Sequence, residues 1–443
     1  MDESPVGPEE LRRGRGGRGA RTTLLVACAL AVALSLLPRD AVAAQDPPSA
    51  APDLAAAAWV LIDPRDGRRL AAHAPGEQRS IASTTKLMTA YLALEDLRLR
   101  ERLTVPPYTP APAESVVGLT EGEELTVRDL LLAMMLPSAN DAAETVAVGV
   151  AGSEGDFVER MNRAAADLGL EDTRYSNPIG LDEIGNYSSA ADLAALTTTL
   201  MNDGRFREIV DTPEADLKSG SVPRHVVSRN ALLLADPSVD GVKTGHTLDA
   251  GYVLVSSARR RGVPLIAVVL GAAGESERDA ESARLLDYGY SLYERRSPFE
   301  EGEELASADV RYEDERLAIV PGRRLAVEAR ADQELTAALD APGSVEGPID
   351  KGEVLGRATV SLDGKVIGRV PLLAASAIGA PSFVDRIGGA PVLAAIVIGA
   401  IVILLLVVLA LRRRSAGRRR GRSAEERMRS HNERTRRREG GES

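Results

Sequence analysis

Three short segments carry residue types suited to acyl transfer: Ser83-Thr84-Thr85-Lys86, Ser138-Ala139-Asn140 and Lys243-Thr244-Gly245. Ser83 and Lys86 are three apart at the start of a helical pattern, so both side chains leave one face. A helix N-terminus also offers free N–H groups and a positive dipole end to an oxygen developing negative charge. Lysine usage points the same way. The chain has 54 Lys plus Arg but only five Lys, at 86, 218, 243, 351 and 365. Where charge alone is needed it uses Arg, which stays protonated and cannot act as a base. An unperturbed amine with pKa ~10.4 is neutral in about one molecule in 2,500 at pH 7. Lys86 as a base therefore requires burial or a nearby second cation, which Lys243 supplies if the fold brings it close. Ser83 can then attack a carbonyl carbon while Lys86 takes its proton. Ser138 can relay a proton to the leaving amine, and Asn140 can hold a substrate amide. The Lys243-Thr244-Gly245 strand can pair with a substrate backbone, with Gly245 allowing close approach. The N–H groups of Ser83 and His246 would face the oxyanion.

Competing chemistries are poorly supported. There is no GxSxG elbow, and His225 and His246 lack a context that demands a Ser-His-Asp triad. Four scattered His without an HExxH pair, and one Cys, argue against a metal enzyme. No cofactor is expected.

The elements that must position these residues read as follows. Trp59–Asp63 and Arg68–Ala72 form a hairpin around Asp63-Pro64-Arg65-Asp66-Gly67. Helical periodicity marks Ser83–Arg98, Val127–Leu136, Asp141–Val150, Glu154–Leu168, Ser189–Met201 and Glu277–Tyr293. Gly251–Ala258 and Pro264–Leu270 are apolar strands around an Arg259–Gly262 turn. Beyond Ser297 helical periodicity stops. Val310–Tyr312, Leu325–Ala329, Val354–Leu362 and Val366–Leu372 read as strands, with Asp363-Gly364 a hairpin turn.

Both ends of the chain speak of a membrane. Residues 1–44 pair a basic stretch with the 14-residue apolar run Leu24–Leu37 and an Ala41-Val42-Ala43 cleavage pattern, a secretory signal. Ile387–Leu411 is uncharged and long enough to span a bilayer. Residues 412–443 then carry thirteen Arg against five Glu. The positive-inside bias puts that tail in the cytoplasm and the body outside, as a cleaved signal also requires. Net charge is −11 despite the basic tail, so the body is strongly acidic and unsuited to nucleic acid. The expected plan is signal peptide 1–44, linker 45–53, catalytic domain 54–295, β-rich domain 296–374, linker 375–386, transmembrane helix 387–411 and cytoplasmic tail 412–443.

Ala82–Thr89 (ASTTKLMT), Pro137–Ala142 (PSANDA), Asn177–Leu181 (NPIGL), Tyr187–Asp192 (YSSAAD) and Asp240–Gly251 (DGVKTGHTLDAG) resemble segments of the low-molecular-mass penicillin-binding proteins, the D-alanyl-D-alanine carboxypeptidases. Gly347–Leu373 resembles the family's small β domain, and the resemblance spans roughly residues 54–374. It implies an α+β fold, an antiparallel sheet flanked by helices as in serine β-lactamases, plus an all-β domain. It implies removal of the terminal D-Ala from peptidoglycan stem peptides through an acyl-Ser83 intermediate. β-Lactam antibiotics would acylate the same serine. Arg278 matches a family Arg that holds the terminal carboxylate, a task Thr244 would share. A full membrane span departs from the family's usual amphipathic surface helix. Three alternatives stay open, one of them an endopeptidase or transpeptidase using the same site, since those reactions share the acylation step. A β-lactamase of this fold would use a Glu with Asn four positions on, but Glu171 is followed by Tyr175. A non-catalytic membrane scaffold would have no need of the intact motifs.

Overall fold

The computed structural model describes residues 51–439; the signal-peptide reading of residues 1–44 falls outside them. Five strands form an antiparallel sheet. β1 (Ala58–Asp63) and β2 (Arg68–His73) are the expected hairpin. Two outlying pairs follow, β3 (Arg102–Thr104) with β4 (Glu124–Thr126) and β5 (Glu214–Leu217) with β6 (Arg224–Val227). β7 (Val239–Thr247), β8 (Gly251–Arg260) and β9 (Val263–Ala272) complete the main sheet in the order β2-β1-β9-β8-β7. β7 is therefore an edge strand.

The side-chain period of two divides β9 between two cores. Ile266, Val268 and Leu270 enter one cluster; Leu265, Ala267 and Val269 enter the other. The first is covered by α1 (Lys86–Asp96), α2 (Val127–Met135), α3 (Asn140–Ala151), α4 (Glu154–Asp167) and α5 (Ala190–Met201). Two short helices, α6 (Gly204–Val210) and α7 (Ala231–Ala235), precede β7. The second core lies under α8 (Glu275–Ser291) through Leu285 and Leu286. Thr126, Ser153 and Ser189 cap α2, α4 and α5, each accepting an N–H three residues on. Glu281 on α8 accepts the N–H groups of Ala55 and Ala56 at 2.9 and 3.1 Å, tying the start of the body to this helix.

Beyond α8 the chain is β-rich. β10 (Tyr293–Arg296) pairs with β13 (Val327–Arg330). β11 (Ala306–Val310), β12 (Arg316–Pro321), β14 (Leu335–Asp340), β15 (Ser344–Val345), β16 (Val354–Leu362) and β17 (Lys365–Ala374) form a six-stranded sheet. Its core holds Phe299, Val310, Ile319, Val360 and Leu372. The core continues past Ala374, because Ile378 exchanges backbone hydrogen bonds with Ile349. α9 (Phe383–Arg386) then carries a Ser382/Asp385 capping box. The last helix, α10 (Gly389–Glu439), starts two residues later than Ile387, after Gly388 takes φ of 100°. Its apolar part, Gly389–Arg414, is 26 residues long and buries none of its most apolar window in the protein. At 1.5 Å per residue it reaches about 39 Å, enough for a bilayer core of about 30 Å.

Candidate active site

Ser83 does not lie in the first turn of an α-helix as its spacing suggested. It sits in a 3-10 turn, Ala82–Thr85, and α1 begins at Lys86. The difference favours the pair, because residues three apart eclipse in a 3-10 turn. Lys86 Nζ donates to Ser83 Oγ at 3.0 Å and to the Ile179 carbonyl at 2.5 Å. Ser83 remains partly accessible while Lys86 is fully buried. Burial, opposed by Glu114 and aided by Arg229, brings the Lys86 amine down to about 7. Lys86 and Lys243 are the buried lysines; Lys218, Lys351 and Lys365 are exposed.

The Ile179 carbonyl comes from the 177–181 turn. Asn177 Oδ1 accepts the N–H groups of Ile179, Gly180 and Leu181, and Thr89 Oγ1 donates to the Pro178 carbonyl at 2.7 Å. Gly180 has φ of +88°, and a Cβ there would stand 2.0 Å from the Ala82 carbonyl oxygen. From the other side comes the edge strand β7. A Cβ on Gly245 would stand 2.9 Å from the Ser83 nitrogen, so glycine brings the strand backbone against the nucleophile's amide.

Lys243 is buried on β7, with Nζ donating to the Thr244 carbonyl at 2.9 Å. Burial first, then Lys86, Arg229 and Arg278, pushes its amine well down. Lys86 and Lys243 repel each other's charge, and Arg229, which the sequence had not suggested, opposes both. Ser138 lies in the turn between α2 and α3, which Pro137 helps to break. Its φ is 69°, and its buried hydroxyl has no hydrogen-bond partner. Such strain and an orphaned hydroxyl mark a position shaped for something other than stability. Asn140 opens α3 and donates from Nδ2 to Glu114 Oε2 at 2.8 Å. Arg278, buried on α8, acts electrostatically on Lys243 and is held by Asp279 and Glu275. The His246 side chain is exposed and stacks on Tyr252 with centroids 4.1 Å apart, which leaves only its backbone for the site.

The other candidates lie elsewhere. His225 is exposed on β6 against Asp216, 2.9 Å away. Glu171 is exposed, and its charge acts on Asp192. Sequence reasoning had missed Glu114, Arg229 and the Ile179 carbonyl. An Asn-Pro-x-Gly turn was a visible signal for the last. Arg229 carried none in a chain so rich in arginine.

A reachable hydroxyl, a buried amine and an open strand edge meet at one point, which is what an acyl-transfer site requires. A family profile described as D-alanyl-D-alanine carboxypeptidase, peptidase S11, matches residues 43–274. Residues 293–380 match the penicillin-binding protein 5 C-terminal domain. The D-alanyl-D-alanine carboxypeptidase DacF of Bacillus subtilis (strain 168) is 31% identical, over 71% of this chain and 84% of its own. Penicillin binding protein 5 from Haemophilus influenzae superposes with a TM-score of 0.52 at 29% identity, over 74% of this chain and 98% of that one. The Streptomyces K15 DD-transpeptidase gives 0.52 at 32%, over 55% of this chain and 99% of that one. The chain belongs to the D-alanyl-D-alanine carboxypeptidase family of serine peptidases.

Proposed function

We propose that the protein removes the terminal D-Ala from peptidoglycan pentapeptides through an ester on Ser83. The observation that carries this is the Lys86 amine, buried and 3.0 Å from the accessible Ser83 hydroxyl. Lys86 takes the Ser83 proton as Oγ attacks the carbonyl carbon of the penultimate D-Ala. The N–H groups of Ser83 and His246 hold the oxyanion. Collapse breaks the peptide bond, and Ser138 relays a proton to the departing D-Ala amine. Water then attacks the ester, Lys86 again takes a proton, and the shortened peptide leaves. Thr244 and Arg278 bind the terminal carboxylate, while Lys243 braces β7 through its bond to the Thr244 carbonyl. Asn140 fixes a substrate amide, and the free edge of β7, with Gly245 at its closest approach, takes the substrate backbone as an added strand.

β-Lactams, as mimics of the scissile amide, form the same ester. The apolar part of α10 anchors the chain in the cell membrane, with the catalytic body outside and the basic tail in the cytoplasm. The test is intact-protein mass spectrometry after incubation with a penicillin, beside an assay for D-Ala released from a peptide ending in D-Ala-D-Ala. The expected result is one adduct, mapped to Ser83 and absent from Ser83→Ala, with D-Ala release lost in the same variant. An adduct on another residue overturns the assignment.

A further inference from the structure

The segment between β3 and β4 has no regular structure, yet it is bound to the site from several sides. The Asn140 N–H donates to the Ser115 carbonyl at 2.7 Å. The buried Asp141 carboxylate accepts the N–H groups of Val117 and Leu119, at 3.2 and 2.9 Å. Arg224 donates to the carbonyls of Val117 and Gly118, and Arg229 Nη1 donates to Ser115 Oγ at 2.6 Å. At the centre of this loop sits Glu114. Its Oε2 accepts from Asn140 Nδ2 and from the Tyr108 hydroxyl, and its Oε1 from the Ala111 N–H at 2.9 Å.

A carboxylate only accepts hydrogen bonds. Turning the Asn140 amide over would set its oxygen against that carboxylate, so the charge admits one orientation. Oδ1 and the second Nδ2 hydrogen are then left for other partners. A neutral acceptor could brace the loop equally well, but it would allow both orientations. We propose that Glu114 is a positioning residue of the acylation site, locking the Asn140 carboxamide in one orientation while its negative charge acts on the Lys86 amine. This rests on the acyl-Ser83 reading. Burial works against the ionised Glu114, but the bonds from Asn140 and Tyr108 hold its carboxyl below the usual range. The charges that act on Lys86 are Glu114 and Asp141, which favour its proton, and Arg229, which opposes it; Lys243 competes with it for charge. The loop therefore carries Glu114 and, through Ser115, fixes Arg229.

The experiment follows the second-order rate of Ser83 acylation by a fluorescent penicillin against pH, using the full-length chain. In Glu114→Gln, loss of the negative charge frees the amine at lower pH, and the acid limb moves down by about half a unit or more. In Arg229→Gln it moves up. Val116→Ala, an exposed change on the same loop, leaves the limb in place. An unmoved limb in Glu114→Gln, or an equal shift in Val116→Ala, overturns the proposal. Failure of the wild-type chain to label on Ser83 would instead sink the reading on which it rests.

Discussion

Lys86 can serve as a base only while its environment makes the ammonium form expensive. Burial does most of this, and the amine titrates at about 7 rather than in the normal lysine range. Because kcat/KM reports the free enzyme, acylation should rise about tenfold per pH unit below that value and level off above it. A limb two units higher would leave the amine charged at neutral pH and remove the proposed proton acceptor. Lys86→Met fills the same space without a charge. Its acylation rate should fall about 10³-fold, while its thermal midpoint holds or rises, since no charge need be buried. Two of the five lysines being placed in motifs was a signal legible before any fold was known. Glu114 and Arg229 were not legible, because what they do depends on partners far away in sequence. Asn140 lies 26 residues from Glu114, and Ser115 lies 114 from Arg229.

At the scale of elements, the site depends on two backbone segments converging on the Ser83 turn, the 177–181 turn and β7, and glycine permits both approaches. Gly180→Ala must relieve a left-handed φ and a 2.0 Å approach to the Ala82 carbonyl. The turn that holds Ser83 has to move. Acylation should drop at least about 100-fold, as displacements near 1 Å can cost that much. Gly169→Ala is the control. It shares a left-handed φ of +71° but has open space around its Cβ, so it should cost only about 1 kcal/mol of stability and leave acylation alone. Equal losses of acylation in both variants would show that strain, not the approach to Ser83, is responsible. The elements that converge were largely readable. The β8 and β9 strands were long apolar runs, and α2 and α4 were strongly periodic with polar caps. Short elements without a turn signal such as the one between β1 and β2 were not readable. Gly204–Val210, Arg316–Pro321 and Leu335–Asp340 are too brief to separate a period of two from one of 3.6. Their structure is imposed by neighbouring strands and helices rather than by their own pattern.

At the scale of the whole molecule, the β-rich region is fastened to the catalytic sheet by one buried ionic cluster. Arg330 on β13 reaches Asp63 at the end of β1 at 2.7 Å and Asp66 in the following turn at 2.5 Å. Tyr293 donates its hydroxyl to Asp63 at 2.6 Å, and Arg65 closes on the same carboxylate at 2.8 Å. Asp63 is fully buried and Arg330 nearly so. Desolving such a pair costs much of what its attraction returns, but removing one member leaves a charge without compensation. Arg330→Met should therefore lower stability by about 3 kcal/mol, near the low end for a broken buried pair because Arg65 and Tyr293 still serve Asp63. The sign with pH follows from Asp63. Burial opposes its ionisation, yet hydrogen bonds from Arg65 and Tyr293 win and hold the carboxyl below its ordinary 3.8. A lowered carboxyl contributes stability above its unfolded pKa and loses it as pH falls through the folded one. Protonating Asp63 also ends its 2.7 Å pairing with Arg330, so the gap between wild type and Arg330→Met should be constant from neutral pH down to about pH 4 and narrow below it. Urea melts across that range measure it. None of the cluster's bonds involves Ser83, Lys86, Asn140 or Lys243, so penicillin labelling of the folded variant at 25 °C should match wild type. A loss of labelling with the fold intact would mean that the β-rich region positions the catalytic residues as well as bracing the sheet that carries them.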